Sequence, residues 1–292
     1  MARKVTPAQL RSMIRQQQSA QRQAVQKYNA AVAKVNRDNK RAIDAYNRDI
    51  RAHNSRVRAN RVRLQREIDR LNRSSTTTRY TTVRSSSVTL HSAYCRVESE
   101  ADSWGWTERE QHLVDLAEAE AANSARATNA LLGAAETDDD AVEDTTITDE
   151  LRQLSPDLDQ RWQGALFALN PRNPDAARHF CTSSREVVVQ MLDLNAPDAA
   201  VLAANPAALR TQQGQVTRRA KIDYLLARAG ADREALADFV DTDVSDVLGL
   251  FATFNSATHG EAGKMDLPLL RSLKGRVEGA IRFLHAVTQA AS

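Results

Sequence analysis

The chain has 292 residues, 42% of them hydrophobic but only 5% aromatic, which bounds it at about two domains and suits an extended helical protein with one modest core rather than a large enzyme. Its formal charge of +3 conceals a segregation: residues 1–73 hold 19 Lys+Arg against 5 Asp+Glu, and the remainder is net −11. Cys95 and Cys181 form neither a disulfide framework nor a metal-ligand spacing, the N-terminus lacks an apolar h-region, and no segment approaches roughly 18 consecutive apolar residues, so a cytoplasmic protein without signal peptide or membrane span is expected.

Residues 8–73 read as one basic helix built on an 18-residue repeat. Leu10, Tyr28, Tyr46 and Leu64 form one column; Ile14, Val32, Ile50 and Ile68 form the next. Gln17, Val35, His53 and Leu71 follow, with Gln18, Asn36, Asn54 and Asn72 beside them. Eighteen residues make five turns, so each column returns to the same azimuth and little supercoiling is expected. No Gly or Pro lies between Pro7 and Gly105 to stop the helix, which would run about 100 Å. Its apolar stripe needs a partner, either the chain's own later helices or a second arm, antiparallel or coiled. The opposite charges of arm and body attract within one chain or between protomers. Nucleic-acid phosphate is the sharper reading of the basic arm, with a steep salt dependence as its signature.

The basic arm is assigned to residues 1–75, a connecting helical segment to 76–135, an acidic linker to 136–154 and an all-helical module to 155–292. Thr76–Arg84 is the one stretch with β character, read as a short extended segment. Ser85 to Ser87 offer caps for a helix carrying Val88, Tyr94 and Val97. Thr107 and Glu110 form a capping box for a helix ending near Leu132, before Gly133. Thr137–Glu150 is acidic and Thr-rich, a solvated boundary rather than a cation site.

In the module, Ser155-Pro156 and Asn173-Pro174 both read as an N-cap followed by Pro at the first helical position. Helices are expected at about 156–169, 174–194, 218–229, 233–258 (broken near Asp241–Asp243) and 267–290, with Gly230 and Gly260 as C-caps. No alternating strand pattern appears, so the fold class is all-α.

Dinucleotide, P-loop, zinc-protease, CxxC and nucleophile-elbow motifs are absent, and none of Lys221, Lys264 or Lys274 has an acid two residues before it. No cofactor and no metal are therefore expected. Three clusters remain. Asn255 and His259 share a helical face near a C-terminus, where an imidazolium is favoured; the plain alternative is a capping role. Arg178 and Arg185 lie seven apart on one face beside Ser183, Ser184 and Glu186, positioned for nucleic acid or for ion pairs with the module's own acids. Arg218, Arg219 and Lys221 fall in the first turn of a helix, where cations oppose the macrodipole and call for an anion, either a phosphate or the acidic body. Trp104, Trp106 and Trp162 read as core anchors rather than base-stacking platforms.

The run Trp162-Gln163-Gly164-Ala165, then Asn173-Pro174-Asp175-Ala176-Ala177-Arg178 and Ser183-Ser184-Arg185-Glu186, resembles the predicted pPIWI-associating nuclease family of bacteria. So do Thr217-Arg218-Arg219-Ala220-Lys221 and Asn255-Ser256-Ala257-Thr258-His259-Gly260. The resemblance covers about 155–292, and the arm with its Tyr-Asn pairs is similar to what precedes that module in its relatives. It implies a role in prokaryotic conflict systems such as anti-phage defence, with nucleic acid as substrate. The Asn255–Gly260 ending also resembles HEPN-type ribonucleases, all-α domains that cut RNA without metal. Phe254 stands where those domains usually carry an arginine, so that assignment requires Arg185 to supply the cation from another helix.

The expected function is a metal-independent nuclease acting on RNA or single-stranded nucleic acid. His259 would be general acid/base, Arg185 would stabilise charge and Asn255 would orient the phosphate or imidazole, while Arg178, Arg218, Arg219 and Lys221 bind nucleic acid. Homo-oligomerisation through the arm and a partner protein of the same defence system are further expectations. The alternative is a non-enzymatic assembly or sensor protein that binds a partner protein, a nucleotide signal or nucleic acid.

Overall fold

A computed structural model describes residues 7–73, 80–101, 105–133, 147–170, 173, 175–256 and 267–290. The described residues form ten helices and no strand: α1 (Pro7–Arg73), α2 (Thr81–Ala101), α3 (Glu108–Leu131), α4 (Thr148–Leu154), α5 (Pro156–Ala168), α6 (Ala176–Asn195), α7 (Asp198–Ala204), α8 (Arg218–Ala229), α9 (Glu234–Ser256) and α10 (Leu267–Ala290). The all-α class and the long N-terminal helix are as expected. Two compact units divide the chain, Met1–Arg58 and Ala59–Ser292.

In the first unit the apolar columns face solvent: Leu10, Ile14, Tyr28, Val32, Val35, Tyr46 and Ile50 are all exposed. In the second unit the fourth repeat of the same columns is core, with Leu64, Ile68 and Leu71 3%, 6% and 0% exposed. Polar contacts fix this segment in place. Asn129 Nδ2 on α3 donates to the Glu67 carbonyl at 3.0 Å and to its carboxylate at 2.8 Å, and Arg61 Nε pairs with Glu98 on α2 at 2.8 Å.

The extended segment expected at 76–84 is corrected where it is described. Residues 81–84 lie in α2, and 76–79 fall outside the described residues. Val83, Ser87, Leu90, Ala93, Tyr94 and Val97 are buried along α2, a helical spacing whose burial overrides the β propensity of the Thr-rich start. The helix begins before Ser85, so Ser87 is no cap; its hydroxyl meets Ser124 Oγ at 3.1 Å in the core. The Thr107 capping box forms as expected. The acidic stretch 134–146 lies outside the described residues, but Ile147 and Leu151 at its end are fully buried and open α4 against α5. Ser155 caps α5 with Pro156 at its first position, and Gly230, at φ 65°, closes α8 in the left-handed conformation that glycine adopts freely.

The break expected in α9 near Asp241–Asp243 is absent. Those aspartates are helix-compatible because they have internal partners. Arg276 on α10 is fully buried and reaches three carboxylates: Glu120 on α3 at 2.6 Å, and Asp243 and Asp246 on α9 at 2.6 and 2.9 Å. Ser124 donates to Asp246 at 2.7 Å. Gly279, one turn along α10, is required by the close approach: a Cβ there would sit 2.2 Å from Glu120 Oε1 and 2.3 Å from Asn123 Nδ2. Burial pushes the Glu120 and Asp243 carboxyls up against the pull of Arg276. Burial likewise raises Glu118 to about 7.

Two measurements check this account. Ile68→Ala should destabilise the Ala59–Ser292 unit by about 2–5 kcal/mol, a core truncation. Ile50→Ala in the same column should change its denaturation midpoint by less than the equivalent of about 0.5 kcal/mol. The carboxyls with raised values hold protons in the folded state that the unfolded chain releases above about pH 4.5. Their contribution is complete below about pH 4.5 and is lost as pH rises from there through about 7, the Glu118 value, and somewhat beyond for Glu120. Thermal melts should therefore show Tm falling between about pH 4.5 and 8. Glu120→Gln, which keeps the neutral form at every pH, should flatten that fall; an unchanged slope would show that the buried cluster holds no proton.

Candidate functional site

The helix pair α5–α6 carries most of the residues singled out in the motif run. Phe180, Cys181, Ser184, Val187, Val188, Met191 and Leu192 bury one side of α6, and Trp162 on α5 meets Phe180 edge-to-face at 5.8 Å. The opposite side of α6 leaves Arg178, Thr182, Arg185 and Glu186 exposed. No ion pair of Arg185 is formed among the described residues, while Arg178 sits 3.5 Å from Asp175.

Asn173 joins the two helices. Its Nδ2 donates to the Ala168 carbonyl at the end of α5 at 2.9 Å, and its Oδ1 accepts from the Asp175 amide at 3.1 Å. The Asn173-Pro174 pair suggests an N-cap at Asn173, but Asp175 is the residue preceding α6, and Asn173 instead closes the turn leading into it.

Above this turn lies a cleft of about 490 Å³ lined by Gly164, Phe167, Ala168, Asn170, Asn173, His179 and Ser183. His179 is the titratable group within it. Asn173 Nδ2 faces its Nδ1 at 3.4 Å, and its Nε2 lies 3.7 Å from Asp175 Oδ2. Donation from Asn173 to Nδ1 leaves the proton of a neutral ring on Nε2, directed at the carboxylate. Asp175, His179 and Ser183 are spaced i, i+4, i+8, yet both imidazole nitrogens are turned to Asp175 and Asn173, so Ser183 has no activating base and the column is no serine-hydrolase triad. The Asn173 contact at 3.4 Å is long, and a ligand that displaces it gains the Nδ1 lone pair for proton exchange.

The other candidates lie elsewhere. Thr217 caps α8 by accepting from the Ala220 amide, and the three cations of that first turn have protein anions as partners. Arg218 pairs with Asp241 at 2.7 Å and donates to Ser245. Arg219 pairs with Asp238 and, at 2.8 Å, with Asp223. Lys221, buried, bridges Asp193 and Asp198 at 2.6 and 2.7 Å. Of the two anions the macrodipole called for, the acidic body is present here. Asn255 lies in the last turn of α9, and His259 and Gly260 fall outside the described residues. Of the tryptophans, Trp162 is fully buried, and Trp106 stacks beneath the Arg233 guanidinium, 5.3 Å from the ring centroid. Among the described residues no group of three His, Cys, Asp or Glu side chains is placed to hold a metal ion.

Sequence reasoning missed His179, Asn173 as a turn-former, and Phe167. The available signal was the i, i+4 spacing of Asp175 and His179 inside the motif run. Residues 151–284 match the family model described as predicted pPIWI-associating nuclease, which agrees with the resemblance read over 155–292. No curated protein and no solved structure matches the chain.

Proposed function

We propose that the module spanning the matched residues 151–284 is a nuclease that cuts RNA, or unpaired stretches of it, without a metal, as the effector of a prokaryotic anti-phage system. The family description supports the nuclease class. The observation that carries the chemistry is the His179 imidazole, oriented by Asp175 and Asn173 at the wall of an open cleft.

In this mechanism the Asn173 amide gives way at Nδ1, the one lone-pair nitrogen of the neutral ring, and Nδ1 of His179 takes the proton of a ribose 2′-hydroxyl. The oxygen attacks the adjacent phosphorus and the P–O5′ bond breaks. The imidazolium or water returns a proton to the departing 5′-oxygen, giving a 2′,3′-cyclic phosphate and a 5′-hydroxyl. Arg185 and Arg178, on the exposed side of the same helix, stabilise the charge that builds on the phosphoryl oxygens. His259, four residues after Asn255 in the sequence, is the second imidazole proposed for the acid/base role. Arg218, Arg219 and Lys221 join nucleic-acid binding only by exchanging their carboxylate partners for phosphate, so they are the weaker part of the surface.

The second reading is assembly through the arm, favoured by the exposed apolar columns of Leu10 to Ile50. It places a second copy's arm against them.

Full-length protein incubated with RNA in EDTA should release cyclic-phosphate ends and leave DNA of the same sequence intact. Replacement of the catalytic imidazole, tested as His179→Ala and His259→Ala, should lower kcat about 100-fold or more, and Arg185→Ala about 10- to 1000-fold. If both histidine variants cleave normally, or folded wild type cleaves no RNA with EDTA or with Mg²⁺, the catalytic proposal is wrong. Light scattering reads the second proposal independently: Tyr28→Glu with Val32→Asp should convert oligomer to monomer, and a monomeric wild type would sink it.

A further inference from the structure

Phe167 is the most exposed of the large hydrophobic side chains described, at 83%. It stands in the last turn of α5, on the rim of the α5–α6 cleft. Folding gains nothing from a ring left this open, because the hydrophobic return comes only when its faces leave water. Gly164 lies one turn earlier and lines the same cleft, and a Cβ built there meets nothing within 4 Å. The space beside the Phe167 ring is therefore vacant along α5.

The rest of the lining defines what fits. Among the described residues it includes two amides, Asn170 and Asn173, the Ser183 hydroxyl and the His179 imidazole, and no Lys, Arg, Asp or Glu. Ser183 is half-buried and makes no hydrogen bond among the described residues. An aromatic face with neutral donors and acceptors suits a flat, neutral, hydrogen-bonding ring. Among the described lining residues a phosphate finds no cation, and an aliphatic ligand leaves the Ser183 hydroxyl unmatched. About 490 Å³ is room for one nucleotide, and the cations that a flanking phosphate needs, Arg178 and Arg185, lie on the exposed side of the same α6.

We infer that this cleft takes one unpaired nucleobase, stacked on Phe167 with its edge against Asn170 and Ser183. Its occupancy restricts the substrate to single-stranded positions. A base still paired in a duplex has both faces covered by its neighbours and its edge already bonded, so it must be unstacked to enter. The inference rests on the nucleic-acid reading of the module but not on cleavage.

The test uses full-length protein and a short 2′-O-methyl RNA strand, which has no 2′-hydroxyl to react, with one 2-aminopurine. Salt is kept above physiological to suppress binding by the basic arm. Wild type should quench the 2-aminopurine fluorescence on binding, and the same strand in a blunt duplex should not be quenched. Phe167→Ala removes an exposed ring and should fold normally; it should lose the quench and bind about ten- to hundredfold more weakly. Phe167→Trp should restore both, and Gly164→Leu should block both by filling the vacancy. Unchanged quench and affinity in Phe167→Ala overturns the subsite. So does RNA cleavage by that variant with unaltered KM, a result that leaves the nuclease proposal standing. Quenching by a wild type that cuts no RNA supports the subsite and removes the nuclease.

Discussion

The Ala59–Ser292 unit is organised around one buried guanidinium. Arg276 has no exposed surface, and it is held by carboxylates from two other helices, Glu120 from α3 and Asp243 and Asp246 from α9. Removing these groups from water carries a penalty that only close, multiply bonded geometry offsets. Burial raises the Glu120 and Asp243 carboxyls, and the excess of three carboxylates over one guanidinium adds to that rise. The positions of α3, α9 and α10 are fixed together by this cluster. Through α9, against which α6 packs, it also supports the wall of the α5–α6 cleft.

Away from that centre, the charges resolve into local pairs. The body is net acidic, and its cations are met by its own aspartates and glutamates: Arg96 by Asp238, Arg152 by Asp159, Arg233 by Glu110, and the α8 trio by acids from α6, α7, α8 and α9. Such half-exposed pairs add little stability individually. Their effect is selective, because they occupy cations that would otherwise compete for phosphate. Arg185 is, with Arg126 and Arg271, among the exposed arginines that form no such pair among the described residues.

Local chemistry was legible and tertiary chemistry was not. Thr107 with Glu110, Ser155 with Pro156, and Gly230 each do what their positions announce, because a cap is decided within four residues. The 18-residue columns likewise predicted α1, since nothing within it interrupts a helix. The short helix α4 was missed because seven residues carry little periodicity; it is held by burial of Ile147 and Leu151. Thr76–Arg84 and Asp241–Asp243 misled for opposite reasons: β-prone threonines lead into a buried helical face, and acidic residues that look solvated turn inward to Arg276. His179 escaped notice because its orientation comes from Asn173, whose side chain closes a turn that spacing alone does not reveal.

The repeat of α1 has one more consequence. Its fourth unit is committed to the core through Leu64, Ile68 and Leu71, while the earlier copies of those columns remain open. Apolar positions in the Leu10 and Ile14 columns therefore recur along the helix in steps of about 27 Å, while the side chains beside them vary, Gln17 giving way to Val35. A ligand that gripped only the two apolar columns would meet similar contacts after a shift of one period, and the side chains beside them would distinguish the registers.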